Sequence, residues 1–599
     1  MGAFRALRGA RAIAARLAAT LAAAAVGLPA VAVAHGVGDR YDLPASLAHF
    51  IAGATATVAL SFLVTVLVAR GGGPAGRARD ITLPLSVVGP LGRGLGRALG
   101  VVVFTLVLLA GFAGDPSPVR NIVPTLVWVG WWVGLSLVVA FVGNVWPALD
   151  PWRALFDGAD ALLRRAWGGR GLARGVPYPQ ALGLWPAALL LLAFGWCELA
   201  DLRAPVPRHI AGLALGWSAL NWAGMVCFGP AIWQARGDVF AVYFAALGRF
   251  APLVPSADGR GLCLRPVGRG LIEAGDAPPG GVAFALAMLS TVLFDGLLGT
   301  RLWRLMDGAL DAWAPGLDRD GYVLATAGLV AVWLLLLGAF LAACRVTSRV
   351  LRPAERRPVA PAFAWTLVPI AVAYTVAHNL GYLLVRGQEL IPLVSDPLGR
   401  GWDLFGTADW TPDMRLVGPG FEWYVAVGAV VAGHVISIWL AHRVMLRLVT
   451  LPRRAALASL PLTALMVGYT ALSLWIIADP LVRLPDAHAP EPRAASLRSG
   501  PDDEVDLDRA AERQGGHAHR GPGGQAAGRE VARVLGVDRW IVGEVGEVDA
   551  HHHRAVEARA RAAQDGLEIL HDLTRLGHGA AGDERTGLRV HAELARNEQ

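Results

Sequence analysis

Residues 322–344 read YVLATAGLVAVWLLLLGAFLAAC, twenty-three consecutive positions without a charged side chain. About 20 apolar residues cross the roughly 30 Å hydrocarbon core of a bilayer as one helix. The run shows no alternation of period two, so it is not a barrel strand. It is apolar on every side, so it is not one face of a soluble bundle. Working outward, comparable runs occupy 45–69, 96–114, 121–146, 181–200, 209–229, 281–300, 362–386, 421–442 and 457–478. The expected fold is therefore all-α, a polytopic transmembrane bundle of about ten spans within residues 35–480. The composition agrees: 54% of the 599 residues are hydrophobic and 17% charged, where soluble domains carry about 25% charge. Twenty-one Trp against eight Tyr suit interfacial indole belts.

The start of the chain has the three parts of a secretory signal peptide over residues 1–34. Arg5, Arg8, Arg11 and Arg16 form a charged start, an Ala/Leu-rich run follows, and Ala32-Val33-Ala34 offers a cleavage site. The chain contains no Lys, so all 54 basic residues are Arg. Their distribution sets an expected topology. Connections on one side of the ten runs carry twenty-four Arg and those on the other side, from residue 35 to 420, carry ten. By the positive-inside rule the Arg-rich side is cytoplasmic, the mature amino terminus lies outside, and the protein sits in a bacterial inner membrane. Two cytoplasmic stretches, 147–167 and 237–253, are expected to lie as amphipathic helices along the membrane surface.

After Pro480 the composition breaks. Nine of the fifteen His fall beyond it, and residues 484–599 hold 15 Arg against 21 acids. Residues 481–599 read as a charged tail, disordered or the product of GC-rich DNA translated out of frame. No basic stripe interleaved with aromatics points to nucleic acid. Without Lys no P-loop exists, and no GxSxG is present in a strand–helix context. Cys197, Cys227, Cys263 and Cys344 lack metal-ligand spacing.

Ionisable residues inside spans are expensive in lipid, so each is a functional candidate. Four stand out: His49, Asp295, His378 and His434. At 1.5 Å rise per residue, Asp295 lies roughly 8 Å, His378 roughly 12 Å and His434 roughly 20 Å from the outer boundary. Carboxylate and imidazole together suit a divalent, zinc-like metal or a proton relay. The plain alternative is that they are polar groups packing helices together. The segment 391–410, rich in Gly, Pro, Asp and Trp, reads as a structured outer cap.

Four stretches taken together resemble a known family: VWPALDPWRAL (145–155), GMVCFGPAIWQARGDVFAVYFAALGRFAPL (224–253), STVLFDGLLGTRLW (290–303) and IPLVSDPLGRGWDLFGTADW (391–410). The family consists of bacterial polytopic membrane proteins, some labelled fenitrothion hydrolase, and the resemblance covers residues 35–480. It implies hydrolysis of organophosphate triesters, lipophilic small molecules that partition into the bilayer. With Asp295 and His378 as catalytic candidates, and His49 and His434 as further metal ligands, a metal-bound water would attack phosphorus. A metal or small-solute carrier, or an assembly factor, would use the same residues without turnover.

Overall fold

A computed structural model describes residues 47–68, 81–84, 88–166, 168–169, 171–256, 261–351, 358–413, 415–449 and 451–481. The expected signal peptide, and the expected tail from residue 482 onward, lie outside the described residues. The chain is helical throughout its core. Its elements in order are α1 (Leu47–Val68), β1 (Ile81–Pro84), α2 (Val88–Ala113), α3 (Ile122–Phe141), α4 (Pro151–Ala166), α5 (Trp185–Leu199), α6 (Pro207–Phe228), α7 (Val239–Gly248), β2 (Leu253–Pro255), β3 (Gly261–Leu264), α8 (Gly281–Leu298), α9 (Arg301–Trp313), α10 (Tyr322–Val350), α11 (Val359–Ser395), α12 (Pro419–Leu448) and α13 (Pro452–Leu481). Among the described residues nine helices are long and apolar enough to cross a membrane: α1, α2, α3, α6, α8, α10, α11, α12 and α13. The chain is a multi-pass membrane protein.

The fourth expected run departs from the reading of ten full spans. It forms only α5, 15 residues long, because Trp185-Pro186 starts the helix late. Direction is nevertheless preserved. Leu184 N–H donates to Pro279 O at 2.7 Å, just before α8 begins, so α5 and α8 run parallel from the same level. Ala277 N–H donates to Pro361 O at 2.9 Å, which starts α11 beside them. At the far end Trp128 Nε1–H donates to Ala204 O, just past α5.

The stretch 237–253 also differs from expectation. Its helix α7, VFAVYFAALG, is buried in the core and does not lie on the surface. Every residue of it is apolar apart from the Tyr243 hydroxyl, so no face favours water. An apolar helix of ten residues is too short to span and is stable only inside the bundle. By contrast α4 is amphipathic as expected, with Trp152 and Phe156 buried. Three short strands near the Arg-rich end pair antiparallel in the order β1-β3-β2, an addition that the all-α reading did not contain.

Helices α8 and α11 form the most buried part of the bundle. The first helix closes back on the last two, where Phe50 meets Trp423 edge-on at 5.9 Å. Residues 391–410 pack onto the α2–α3 turn. Asp115 N–H donates to Leu398 O at 2.7 Å, and Arg400 Nη2–H to Ala113 O at 2.8 Å. Asn121 closes the same turn, donating to Ala110 O and Asp115 O and accepting from Val123 N–H.

Two buried carboxylates organise the Arg-rich end. Asp238 caps α7, accepting from Phe240 N–H at 3.0 Å, Ala241 N–H at 3.1 Å and Asn221 Nδ2–H at 3.3 Å. Asp150 caps α4, accepting from the Arg153 N–H and from Gln234. Burial, with the Asp150 charge adding to it, pushes the Asp238 carboxyl up to about 7. Burial likewise pushes Asp150 up to about 6, against the bonds it accepts.

Candidate functional site

The site forms where α3, α5, α7, α8 and α11 meet. Asp295, near the end of α8, and His378 on α11 are brought together, with His378 Nε2 3.1 Å from Asp295 Oδ2. The two residues sit eighty-three positions apart in sequence, and the parallel run of α8 and α11 is what places them at one level. Asp295 also lines a polar cavity of about 30 Å³. The same cavity is lined by Glu198 from α5, Tyr243 from α7, Asn379 and Thr375 from α11, and Trp132 and Ser136 from α3. That volume is enough for about one water, which needs two to four polar partners, and the walls supply them.

The approach of Glu198 to Asp295 depends on a small residue. Gly195 on α5 faces Thr291 on α8 so closely that a Cβ would stand 2.6 Å from Thr291 Cγ2. One turn further along each helix come Glu198 and Asp295. Small residues at helix contacts in membranes allow this approach of backbones. On the other side of His378, Glu422 of α12 lies against Gly381 of α11, one turn on from the imidazole. Arg386 Nη1 is 2.7 Å from Glu389 Oε1, further along α11 toward the end opposite the Arg-rich one.

Of the four residues singled out from sequence, only Asp295 and His378 meet. His434 is fully buried on α12, with Nδ1 2.7 Å from Val430 O and its ring 5.6 Å from that of Tyr469. His49 is exposed on α1, beside Phe50. Among the described residues no group of three His, Cys, Asp or Glu side chains could hold a metal ion. The expected four-residue metal set therefore does not assemble: Asp295 and His378 supply two donors, and no third joins them. Glu198, at the end of the expected run 181–200, was not among the four, yet it faces the cavity from the last turn of α5. Its signal in the sequence is a carboxylate closing the apolar run LLLLAFGWCEL without an adjacent Arg. Tyr243, Asn379 and Ser136 carried no such signal.

A second cavity adjoins the first. It has a volume of about 510 Å³ between α2, α3, α5, α6 and α7, is almost wholly apolar, and is partly open to the exterior. The wall between the two cavities is a ten-residue stretch of α3, Thr125–Gly134, wound as a π-helix. There Leu135 N–H donates to Gly130 O, an i→i+5 bond that widens the turn. Trp131 lines the apolar chamber and its neighbour Trp132 lines the polar cavity. Trp132 packs on Phe194 at 4.5 Å and on Tyr243 at 4.8 Å between ring centroids. On α5 the same division separates Cys197, facing the chamber, from Glu198, facing the polar cavity.

In comparison with known proteins, no family model, no curated protein and no solved structure matches the chain.

Proposed function

We propose that the protein is a membrane-embedded hydrolase of neutral lipophilic esters, aryl phosphotriesters among them. The observation that carries this is the pair of carboxylates, Glu198 and Asp295, on one water-sized cavity, with His378 bonded behind Asp295. Two carboxyl groups in different surroundings are the arrangement from which acid and base roles arise. A water held in the cavity passes a proton to one carboxylate as its oxygen attacks phosphorus. The aryloxide then leaves and takes a proton from the other carboxyl group, so that triester and water become diester acid and phenol. His378 holds the Asp295 oxygen in place and spreads the charge that develops on it. Among the described residues no side chains form a metal-ligand set, and the carboxylates themselves carry the proton transfers. The resemblance read from sequence supports the same class. Its stretch 290–303 contains Asp295, and its stretch 224–253 contains Tyr243.

The test is release of nitrophenol from a nitrophenyl phosphotriester by the purified full chain in detergent. Turnover is expected in the wild type and lost in Asp295→Asn and in Glu198→Gln, with both variants still eluting as folded protein. A wild type that releases no nitrophenol, or variants as active as it, would defeat the proposal. A carrier reading is favoured by one further observation. Further ionisable groups stand along α11 beyond His378, Glu422 against Gly381 and then the Arg386–Glu389 pair, as a proton path would need. It predicts solute bound by the same residues with no product formed.

A further inference from the structure

The apolar chamber is far larger than packing defects in well-packed interiors, which are rarely bigger than a water. Its volume of about 510 Å³ falls in the range that holds a drug-sized molecule. Its walls are aromatic to an unusual degree, with Phe104, Trp131, Trp152, Phe194, Trp217 and Phe240 among them. These rings meet each other largely edge to face, as Trp131 and Phe240 do at 4.7 Å and 78°. Trp152 satisfies its indole N–H on Ser218 Oγ at 2.7 Å, which leaves its ring as apolar wall. Flat ring faces and edges favour a planar aromatic body over a flexible acyl chain, since aromatic pairs gain energy beyond their area. Leu99 on α2 and Leu220 on α6 line the chamber and are exposed, on helices long and apolar enough to span the membrane. The mouth therefore faces lipid.

We infer that this chamber is a binding site for the aromatic body of a neutral lipophilic ester, taken laterally from the bilayer between α2 and α6. The choice of an ester rests on the hydrolase reading; the aromatic, membrane-dissolved occupant rests on the chamber itself. With the aromatic body in the chamber, the partition between it and the carboxylates is built from α3, α5 and α7, with Trp131 on the chamber side and Trp132 on the polar side. Trp132 is then the positioning residue through which the scissile end reaches Glu198 and Asp295.

The experiment uses the full chain carrying Asp295→Asn, reconstituted in phospholipid vesicles, with a nitrophenyl phosphotriester as a quencher of Trp fluorescence. Saturable quenching is expected. Adding Gly216→Phe, at a chamber-lining position where a Cβ meets nothing within 4 Å, should raise the apparent Kd at least about tenfold. Ala214→Phe, on the same wall, should do likewise. Gly212→Phe, one turn away on α6 and equally unhindered but outside the chamber, should leave it unchanged. A variant keeping only Cys197 should react with a bilayer-soluble maleimide, and the phosphotriester should slow that reaction. Equal Kd values for Gly216→Phe, Ala214→Phe and Gly212→Phe overturn the inference. So does quenching by phospholipids with brominated acyl chains that the phosphotriester fails to displace. Saturable binding without nitrophenol release by the wild type leaves the chamber standing and removes the hydrolase reading. Wild-type turnover in Gly216→Phe and Ala214→Phe does the reverse.

Discussion

Replacing Gly195 by Ala tests whether the close approach of α5 and α8 builds the site. The new Cβ would stand 2.6 Å from Thr291 Cγ2, where carbon atoms rest at about 3.5–4.0 Å. The helices must part by about 1 Å to relieve this. Glu198 lies three residues beyond Gly195 and Asp295 four beyond Thr291, so both carboxylates move with the helices that carry them. Overpacking of this kind costs about 1–3 kcal/mol, and a displacement of about 1 Å at reacting groups costs about 100-fold in rate. Gly195→Ala should therefore lower the thermal midpoint in detergent and cut nitrophenol release about 100-fold. Thr291→Ser supplies the control. It removes Cγ2 and keeps the hydroxyl that donates to Ala287 O at 3.1 Å. The next atom facing the added Cβ is then Thr291 Cβ, at an ordinary 3.4 Å. The double variant should recover both midpoint and rate. Wild-type behaviour of Gly195→Ala, or a double variant no better than the single one, would refute the reasoning.

Three further outcomes follow from other parts of the molecule. Asp238 and Asp150 have folded-state values of about 7 and about 6, above the unfolded 3.8, so the folded state holds their protons more tightly. Stability from this source is complete below about pH 4 and is lost as pH rises through about 7, by no more than about 4 kcal/mol for Asp238. The thermal midpoint should accordingly fall between pH 5 and pH 8, and Asp238→Asn should flatten that fall; an unchanged slope in the variant would assign the titration elsewhere. Asn121→Ala removes two donated bonds and one accepted bond of a fully buried side chain. It should destabilise the protein by about 1–3 kcal/mol, read as a lower midpoint, while an unshifted midpoint would show that water replaces the side chain. Reporter fusions after residues 80, 120, 165 and 205 should alternate between cytoplasm and exterior, and two consecutive fusions on one side would remove the Arg-based topology.

The spanning helices were legible because burial in lipid demands apolarity on every face, and 322–344 meets that demand without interruption. Misreadings arose where length and not polarity decides. The stretch 181–200 satisfies composition but yields fifteen helical residues, and α7 is apolar yet too short to be anything but internal. Asp295 and His378 were legible as charges in apolar runs, and their estimated depths differed by less than one helical turn. That they touch follows from the parallel packing of α8 and α11, which no local pattern encodes. Glu198 was missed because a residue at the end of a run reads as loop, although Gly195 one turn before it marks a close helix contact. The π-helical wall had no signature, since i→i+5 bonding changes the turn without changing the residues that form it.

The shortness of α5 has a consequence for how the two reactants arrive. Fifteen residues rise roughly 22 Å, against a hydrocarbon thickness of about 30 Å. Where a helix this short meets lipid, the bilayer accommodates it by local thinning. Glu198 stands in the last turn of that helix, which places the polar cavity toward the end of the bundle opposite the Arg-rich one. The chamber on the other side of Trp131 and Trp132 opens to lipid. Water and a lipophilic ester would thus meet across one indole-lined partition without either entering the other's phase. Local thinning around α5 would shorten the path of water to the cavity, and a thicker bilayer would lengthen it.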